Sequence, residues 1–214
     1  DETIHGKNII LSTGASPIIP PIEGLKEAYE SGYVKTSKEL LNIEEIPKKL
    51  VIIGGGVIGL EFATIFNAFN SEVTIIEREN DILSNVDDEI KEQMKKIIKK
   101  DKIKVLTEST VTKLTSNSVI YDNKDGSQTI EADQVLLAIG MKANTFGYEA
   151  LNLEKDKNFV KVNEHLQTSL KNVYAIGDMN GKMMLAHVAS HQGIIAVNHI
   201  LGHFEKMNYN QVPS

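Results

Sequence analysis

Apolar and polar positions along the chain fall into blocks that predict strands and helices in alternation. Residues 50–53 form a β-branched apolar run, which is typical of a buried strand. Apolar side chains recur at helical spacing over residues 57–69, and residues 73–77 again have a strand-like pattern. Strand, helix and strand in this order predict a βαβ unit with two parallel strands.

The segments on either side show the same two kinds of pattern. Residues 8–11 form a short apolar run that predicts a buried strand, followed by an extended loop that contains prolines. A short helix is expected at residues 37–41, and a longer one after Asp87 or Asp88, either of which can cap it. The longer helix should carry apolar side chains on one face and lysines on the other.

Short strands dominate the next part of the chain. Residues 122–126 have the composition of a hairpin tip, and residues 135–139 form a fully apolar strand, as expected at the centre of a parallel sheet. Residues 172–178 predict a short strand, and a helix is expected at residues 187–201. The whole pattern predicts an α/β protein in which one complete domain is flanked by two pieces of another.

Composition narrows the classes of function. The 214 residues are 41% hydrophobic and 24% charged, which is ordinary for a globular protein with one large or two modest cores. A net charge of −6 argues against nucleic acid or an anionic membrane as a partner. No apolar run is long enough for a membrane helix. The absence of cysteine excludes disulfides, thiolate metal sites and cysteine nucleophiles within this chain.

One motif carries most of the chemical information, the G-x-G-x-x-G pattern between the first strand and helix of the βαβ unit. Its residues are Gly54, Gly55, Gly56, Val57, Ile58 and Gly59. Gly54 permits a tight turn, and Gly56 lets the backbone approach a pyrophosphate. Gly59 and the small Ala63 let the helix lie close to the strand. The helix N-terminus then presents N–H groups and a positive dipole end to phosphates, so the motif predicts a dinucleotide site.

An acidic residue at the end of the second strand predicts which dinucleotide binds. Glu77 is placed to accept both hydroxyls of the adenosine ribose, whereas a 2′-phosphate would meet its carboxylate. NAD is therefore favoured over NADP, although the adjacent Arg78 could offset part of the repulsion. The alternative for Glu77 is a solvated strand end without function.

Each of the other candidate residues also has a structural alternative. Glu61 could serve in a reaction or only stabilise the positive end of its helix. Asp178 could hold a ligand hydroxyl or cap a turn. His187 and His191 are four residues apart, but a metal site would need a third ligand, and none is predicted. A serine hydrolase is not predicted either, because the chain has no nucleophile elbow.

Several segments in order resemble the flavin-dependent pyridine nucleotide–disulfide oxidoreductases, and two of them narrow the resemblance to the dihydrolipoamide dehydrogenase branch. The segments that resemble the wider family are residues 9–17, 51–63, 136–140 and 174–178. Those that resemble the branch are residues 184–187 and 208–214. The resemblance implies a reaction in which electrons pass from a dithiol through FAD to NAD, as hydride in the last step.

The resemblance also implies roles for individual positions. The implied NAD contacts are the motif Gly54 to Gly59, Glu77, Val111 and Gly140. The implied FAD contacts are Thr13, Gly14, Asp178, Met184, Leu185, Ala186 and His187, with Asp178 on ribityl or ribose hydroxyls. Glu61 would lie near the contact between flavin and nicotinamide, paired with a lysine. No residue of the chain is assigned a catalytic role.

By this resemblance the fold is a Rossmann-like NAD-binding domain, with a parallel sheet and a β-meander, inserted in a partial FAD-binding domain. The expected boundaries are 1–35 and 147–202 for the FAD-binding pieces, 36–146 for the NAD-binding domain, and 203–214 for the start of an interface domain. The redox cysteines and the catalytic His-Glu pair would lie outside the chain, so we expect it not to oxidise dihydrolipoamide by itself. Ser12, Met141, Ala143 and Gln192 depart from the usual residues of the family.

The expected partners follow from the same resemblance. The whole protein would be a cytoplasmic homodimer that can attach to a 2-oxo acid dehydrogenase complex, with a small-molecule dinucleotide as its ligand. One alternative is a related flavoenzyme, such as an NADH oxidase, a mercuric reductase or a glutathione-type reductase. A stand-alone NAD-binding module is a further alternative from a different class.

Overall fold

A computed structural model of the protein describes residues 2–213. The strands in the first half are β1 (Ile9–Leu11), β2 (Ala15–Pro17), β3 (Val34–Lys35), β4 (Lys49–Ile53), β5 (Glu72–Ile76), β6 (Lys104–Leu106) and β7 (Thr110–Leu114). Those in the second half are β8 (Ser118–Asn123), β9 (Gly126–Glu131), β10 (Gln134–Leu137), β11 (Met141–Ala143), β12 (Lys155–Asp156), β13 (Phe159–Val160) and β14 (Val173–Ala175). The α-helices are α1 (Leu25–Glu30), α2 (Ser37–Leu40), α3 (Val57–Ala68), α4 (Asp88–Lys100) and α5 (Ala186–Ile200).

The chain divides into two compact units, one inserted within the other. The central unit spans residues 17–140, and the outer unit combines the residues before and after it. The predicted central boundaries of 36 and 146 are therefore wrong in detail. Residues 17–35 belong to the central unit because β3 pairs with β10, and Leu25 and Val34 share a core with Val51.

The last residues of the chain also differ from expectation. Residues 203–213 were expected to begin a separate domain, but they pack on the outer unit. Met207 is buried in the same core as Val188 and Ile195, with Tyr209 and Val212 packed against it. An apolar contact of this kind ties the segment to helix α5 of its own unit.

The sheet of the central unit is parallel and has the strand order β3-β10-β4-β5-β6. Helices α2, α3 and α4 contribute to a core on one face. Helix α1 and the antiparallel meander β7-β8-β9 contribute to a core on the other. The apolar strand predicted at residues 135–139 lies between β3 and β4, one place off the centre, and ends at Leu137. Its four residues are all buried, as an interior parallel strand requires.

The predicted helix signals are confirmed in the central unit. Asp87 caps α4, since its Oδ1 accepts the N–H of Glu89 at 2.9 Å. Helix α2 begins with a capping box in which Glu39 accepts the backbone N–H of Thr36 at 2.7 Å. The hairpin tip is confirmed as well, because Asn123 pairs with Gly126.

The outer unit is built from short two-stranded sheets and one long helix. Strand β1 pairs with β14 in parallel, β2 pairs with β11, and β12 pairs antiparallel with β13. The expectation of a buried strand at residues 8–11 is wrong, because Ile9 is 47% exposed and Ile10 36%. Within residues 2–213 this strand has one neighbour, so Ile9 and Ile10 stay partly open.

None of the helices among residues 2–213 has both the length and the apolar character needed to cross a membrane.

Candidate functional site

The turn that joins β4 to α3 depends on a residue without a side chain. Gly54 has φ +113°, in the left-handed region that favours glycine. A Cβ at Gly54 would lie 2.4 Å from the carbonyl oxygen of Ala138. The turn therefore passes directly over the chain that leaves β10, and the tight-turn role predicted for Gly54 is confirmed.

The third glycine of the motif lets helix α3 approach this turn. A Cβ at Gly59 would lie 2.1 Å from the carbonyl oxygen of Gly54, far inside any real contact distance. Ala63, one turn further, is fully buried against the sheet. The close helix–strand packing predicted for these two positions is confirmed.

Between these two crowded glycines lies an open one. A Cβ at Gly56 would meet nothing within 4 Å. Gly56 is the N-cap of α3, and no side chain of the described residues caps the helix. The first N–H groups of a helix have no intrahelical acceptor, and the helix dipole gives this end a partial positive charge. The next two residues, the exposed Val57 and the half-buried Ile58, leave this end of the helix accessible. The uncapped end can therefore receive an anion such as a pyrophosphate.

The carboxylate of Glu77 is docked on the glycine turn. Its Oε2 accepts the N–H of Gly55 at 2.6 Å, and its Oε1 accepts the N–H of Glu79 at 2.8 Å. Its backbone is also bound to the sheet edge, where its N–H donates to Leu106 at 2.8 Å. The carboxylate is therefore held by the protein and is not simply solvated, and its contact with a ligand stays a prediction. A carboxylate has about four acceptor positions, which leaves about two for ligand hydroxyls.

A contact from the loop after β5 supports the same turn and was missed by sequence reasoning. The N–H of Leu83 donates to the carbonyl oxygen of Gly55 at 3.0 Å. A Cβ at Gly55 would lie 3.0 Å from Cγ2 of Ile82 and 3.1 Å from Oε2 of Glu77. The second glycine is therefore also needed, because a side chain there would press on the carboxylate. Periodicity carries no signal for such a contact between a loop and a turn.

The other residues predicted to contact NAD differ in how accessible they are to a ligand. Gly140 has φ +122° and follows the residues that the Gly54 turn crosses, so it lies at the same edge of the sheet. Val111 is only 7% exposed and its side chain belongs to the core between sheet and meander, so only its backbone remains for a ligand. Glu61 is exposed on α3, one turn beyond Val57. Contacts of Val111 and Glu61 with a cofactor stay predictions.

In the outer unit, Asn144 fixes the segment that contains Thr13 and Gly14. The hydroxyl of Thr13 donates to the carbonyl oxygen of Asn144 at 2.7 Å, and the side-chain amide of Asn144 donates to the carbonyl oxygen of Thr13 at 2.9 Å. The N–H of Asn144 donates to the carbonyl oxygen of Gly14 at 3.0 Å. These partners are 131 residues apart for Thr13, so sequence reasoning had no means of finding Asn144.

Asp178 lies in a 3₁₀ turn, Gly177–Asn180, directly after β14. Its side chain is half-buried, and across residues 2–213 its carboxylate has neither a hydrogen-bond donor nor a cation in contact. The side chain therefore does not cap the turn, which was the structural alternative. A half-buried carboxylate with open acceptor positions suits a ligand that presents hydroxyl groups.

A buried amide holds the turn in place. Gln192 is fully buried on α5, and its Oε1 accepts the N–H of Gly177 at 2.6 Å and the Nδ2 of Asn180 at 2.9 Å. Its Nε2 donates to the hydroxyl of Tyr209 at 3.1 Å. Because a backbone N–H can only donate, the Gly177 contact sets the orientation of the amide. Sequence reasoning noted Gln192 only as a departure from the family and did not predict this role. Burial raises the pKa of Tyr209, whose hydroxyl accepts the hydrogen bond from Gln192.

The remaining predicted FAD contacts surround the start of α5. Leu185 is the N-cap residue, Met184 before it is 46% exposed, and Ala186 and His187 are exposed on the first turn. A ring nitrogen of His187, Nε2, lies 3.2 Å from the carbonyl oxygen of Pro213. Over the part of the chain that the structure describes, no group of three His, Cys, Asp or Glu side chains is arranged to hold a metal ion.

Comparison with protein families assigns the class. Residues 1–193 match the family model described as pyridine nucleotide-disulphide oxidoreductase. The chain therefore belongs to the pyridine nucleotide-disulphide oxidoreductase family, as its motifs predicted.

Curated relatives narrow the comparison within that family. The chain is 53% identical over 210 residues to the dihydrolipoyl dehydrogenase of Acholeplasma laidlawii, covering 97% of the chain and 62% of the relative. It is 40% identical over 204 residues to that of Bacillus subtilis, covering 92% of the chain and 42% of the relative. The chain thus spans about half the length of the curated relatives that it matches.

Solved structures agree with the fold. The flavoprotein disulfide reductase RclA from Escherichia coli matches with a TM-score of 0.82 and 28% identity, covering 97% of this chain and 47% of that one. LpdA from Mycobacterium tuberculosis matches with a TM-score of 0.83 and 25% identity, covering 97% and 45%. The α/β fold with a parallel sheet is therefore the fold of flavoprotein disulfide reductases.

Proposed function

We propose that the chain is the NAD-binding part of a dihydrolipoyl dehydrogenase, which oxidises a dithiol to a disulfide and reduces NAD through FAD. The observation that carries the proposal is the carboxylate of Glu77, held on the N–H of Gly55 inside a complete G-x-G-x-x-G turn. This arrangement joins a phosphate-binding helix end to an acceptor for ribose hydroxyls. The similarity to dihydrolipoyl dehydrogenases supports the choice within the family.

The chemistry of the site favours NAD over NADP. The two acceptor positions of Glu77 that remain open suit the two hydroxyls of the adenosine ribose. A 2′-phosphate would replace one hydroxyl with negative charge beside a carboxylate and would be repelled. Gly140 would lie along the same edge of the sheet, near the nicotinamide half.

The outer unit has groups that fit part of an FAD site. The unpartnered carboxylate of Asp178 would bind ribityl or ribose hydroxyls, with Thr13 and Gly14 nearby on the same unit. The uncapped end of α5, with Met184, Leu185, Ala186 and His187, would present backbone N–H groups to the cofactor. When bound, FAD supplies the two-electron chemistry between dithiol and NAD. The residues of this chain would position it.

The activity of the whole protein is likewise part of the proposal. The chain has no cysteine, so the dithiol–disulfide exchange needs cysteines from outside these 214 residues. We therefore expect the chain alone to bind NAD without oxidising dihydrolipoamide. For the whole protein we propose a cytoplasmic homodimer that associates with a 2-oxo acid dehydrogenase complex.

A titration with NADH and with NADPH tests the proposal. Calorimetry of the purified chain should show saturable binding of NADH and weaker binding of NADPH. A preference for NADPH would contradict the role given to Glu77. Measurable NADH formation from dihydrolipoamide and NAD by the chain with added FAD would contradict its expected inactivity.

A second candidate is another flavin-dependent disulfide reductase, and the similarity to RclA favours it. Both candidates use the same NAD site, so the titration does not separate them. Assays of the whole protein with dihydrolipoamide against other dithiols and disulfides do. Turnover of dihydrolipoamide well above that of the others supports the first candidate.

A further inference from the structure

An arginine stands directly after the residue that receives the ribose. Arg78 follows Glu77 at the end of β5, and arginine near this position accommodates the 2′-phosphate in NADP-binding proteins. Its guanidinium would bind such a phosphate through paired N–H donors. Arg78 therefore works against the NAD preference expected from Glu77, unless something else occupies it.

In the structure, the guanidinium of Arg78 is paired with the carboxylate of Glu79. Nε and Nη2 of Arg78 lie 3.2 Å and 2.9 Å from the same oxygen, Oε1 of Glu79. Two of the five N–H donors of the guanidinium are thus directed at a carboxylate. The charge of Arg78 is balanced within its own segment, so little of it remains for a phosphate.

The backbone of Glu79 is anchored on both sides, which sets the position of its side chain. Its N–H donates to Oε1 of Glu77 at 2.8 Å, and its carbonyl oxygen accepts the N–H of Glu108 at 2.9 Å. Glu79 is therefore bound to the ribose-binding carboxylate through its own main chain. One carboxylate, that of Glu79, therefore contacts the guanidinium at the adenosine end of the candidate site.

We propose that Glu79 is a specificity-determining residue that excludes NADP by holding Arg78. This inference rests on the proposed NAD site and deepens it. Glu79 acts through Arg78, so it is a positioning residue. Removing Glu79 should release Arg78 for a phosphate while leaving the contacts of Glu77 with the ribose unchanged.

The exposure of the pair makes the substitution safe for the fold. The side chains of Arg78 and Glu79 are 76% and 55% exposed. Exposed ion pairs contribute little to stability, so Glu79→Gln should leave the melting temperature unchanged. Only the discrimination between dinucleotides should respond.

The test compares four versions of the chain: the parent, Glu79→Gln, Arg78→Gln and the double variant. Each is titrated with NADH and NADPH by calorimetry. In Glu79→Gln, NADPH should bind roughly fivefold tighter, while the affinity for NADH stays within about twofold. In the double variant most of the gain for NADPH should disappear. Glu72→Gln, which removes the same charge at the opposite end of β5, should leave the ratio unchanged.

The outcomes separate this inference from the proposed function. No saturable binding of NADH by the parent chain contradicts the NAD site itself and the inference with it. Binding of NADH with an unchanged NADPH ratio in Glu79→Gln contradicts the inference alone. An equal gain in Glu79→Gln and in the double variant also contradicts it, because Glu79 would then act by its charge and not through Arg78.

Discussion

The candidate sites of the two units are built in different ways. In the central unit, the glycine turn and Glu77 lie within one βαβ segment, and each of their hydrogen bonds is donated by a backbone N–H group. In the outer unit, the turn of Asp178 is held by the side chain of Asn180 within the turn and by that of Gln192 on helix α5. Backbone clearance shapes the first site, whereas buried polar side chains shape the second.

The difference predicts which kind of substitution each unit tolerates. The central site lies at the carboxyl ends of the strands of a five-stranded sheet with a core on both faces, so volume added at the crowded Gly54 or Gly59 has no space to enter. The outer site rests on two-stranded sheets, where Ile9 and Ile10 remain exposed. Volume should therefore matter most in the central unit, and the loss of hydrogen bonds most in the outer unit.

The largest effect is expected for Gly59→Ala. The new Cβ would lie 2.1 Å from the carbonyl oxygen of Gly54, so helix α3 must move away from the turn. We expect a loss of about 3 kcal/mol in the free energy of unfolding, together with loss of NADH binding. Chemical denaturation and calorimetry measure the two quantities.

Gly56→Ala is the matched control for this substitution. Its Cβ meets no atom within 4 Å, so the stability should stay close to that of the parent chain. NADH should nevertheless bind more weakly, because the methyl group stands where the pyrophosphate approaches. Equal stability losses in the two variants would contradict the account of the turn.

The second largest effect is expected in the outer unit, for Gln192→Leu. The substitution leaves the buried N–H of Gly177 without its acceptor and removes one of the two acceptors of Asn180 Nδ2, which keeps the carbonyl oxygen of Ala175. We expect a loss of about 2 kcal/mol, seen as faster hydrogen exchange in residues 173–180. Gln192→Glu keeps an acceptor for both donors and should cost less. Unchanged exchange in the leucine variant would show that the amide does not hold the turn.

A smaller effect is expected for Glu77→Gln, which changes binding more than stability. The amide has one acceptor oxygen in place of two, so it can satisfy Gly55 or Glu79 but not both, with little left for the ribose. We expect NADH affinity to fall roughly tenfold, which is about 1.4 kcal/mol. Glu72→Gln on the same strand serves as the control and should bind NADH normally.

The smallest effect is a pH dependence confined to the outer unit, since all six histidines lie outside residues 17–140. Burial and the stacked ring of His165 lower the pKa of His199 below its ordinary value of 6.5, and the hydroxyl of Tyr174 lies 2.9 Å from its Nδ1. The folded state then binds fewer protons than the unfolded one, so stability is full above pH 6.5 and is lost as the pH falls below it.

The central unit should lose stability only at lower pH. The hydrogen bond from Lys95 lowers the pKa of Asp81 below its ordinary value of 3.8, so this contribution is present above pH 3.8 and is lost below it. Hydrogen exchange at pH 7 and pH 5.5 should therefore show loosening in the outer unit alone. In His199→Asn the change between these two pH values should shrink, and a change of unaltered size would contradict the assignment to His199.

The comparison also explains how far sequence reasoning could reach. The roles of Gly54, Gly56 and Gly59 were predictable because they depend on local geometry that a contiguous motif encodes. Asn144 acts across 131 residues of chain, and Gln192 reaches from helix α5 to the preceding turn; no local pattern marks either residue. The predicted burial of β1 failed for a related reason, since burial of a strand depends on its neighbours and not on its own apolar residues.

The central claim is that a dinucleotide binds on the turn between β4 and α3 with Glu77 as its acceptor. Hydrogen exchange of the chain with and without saturating NADH tests it most directly, because it reports on the backbone N–H groups of residues 54–60 and 77–79 themselves. We predict that NADH slows exchange in these two segments and leaves residues 173–180 unchanged. Binding of NADH without protection of residues 54–60 would contradict the claim.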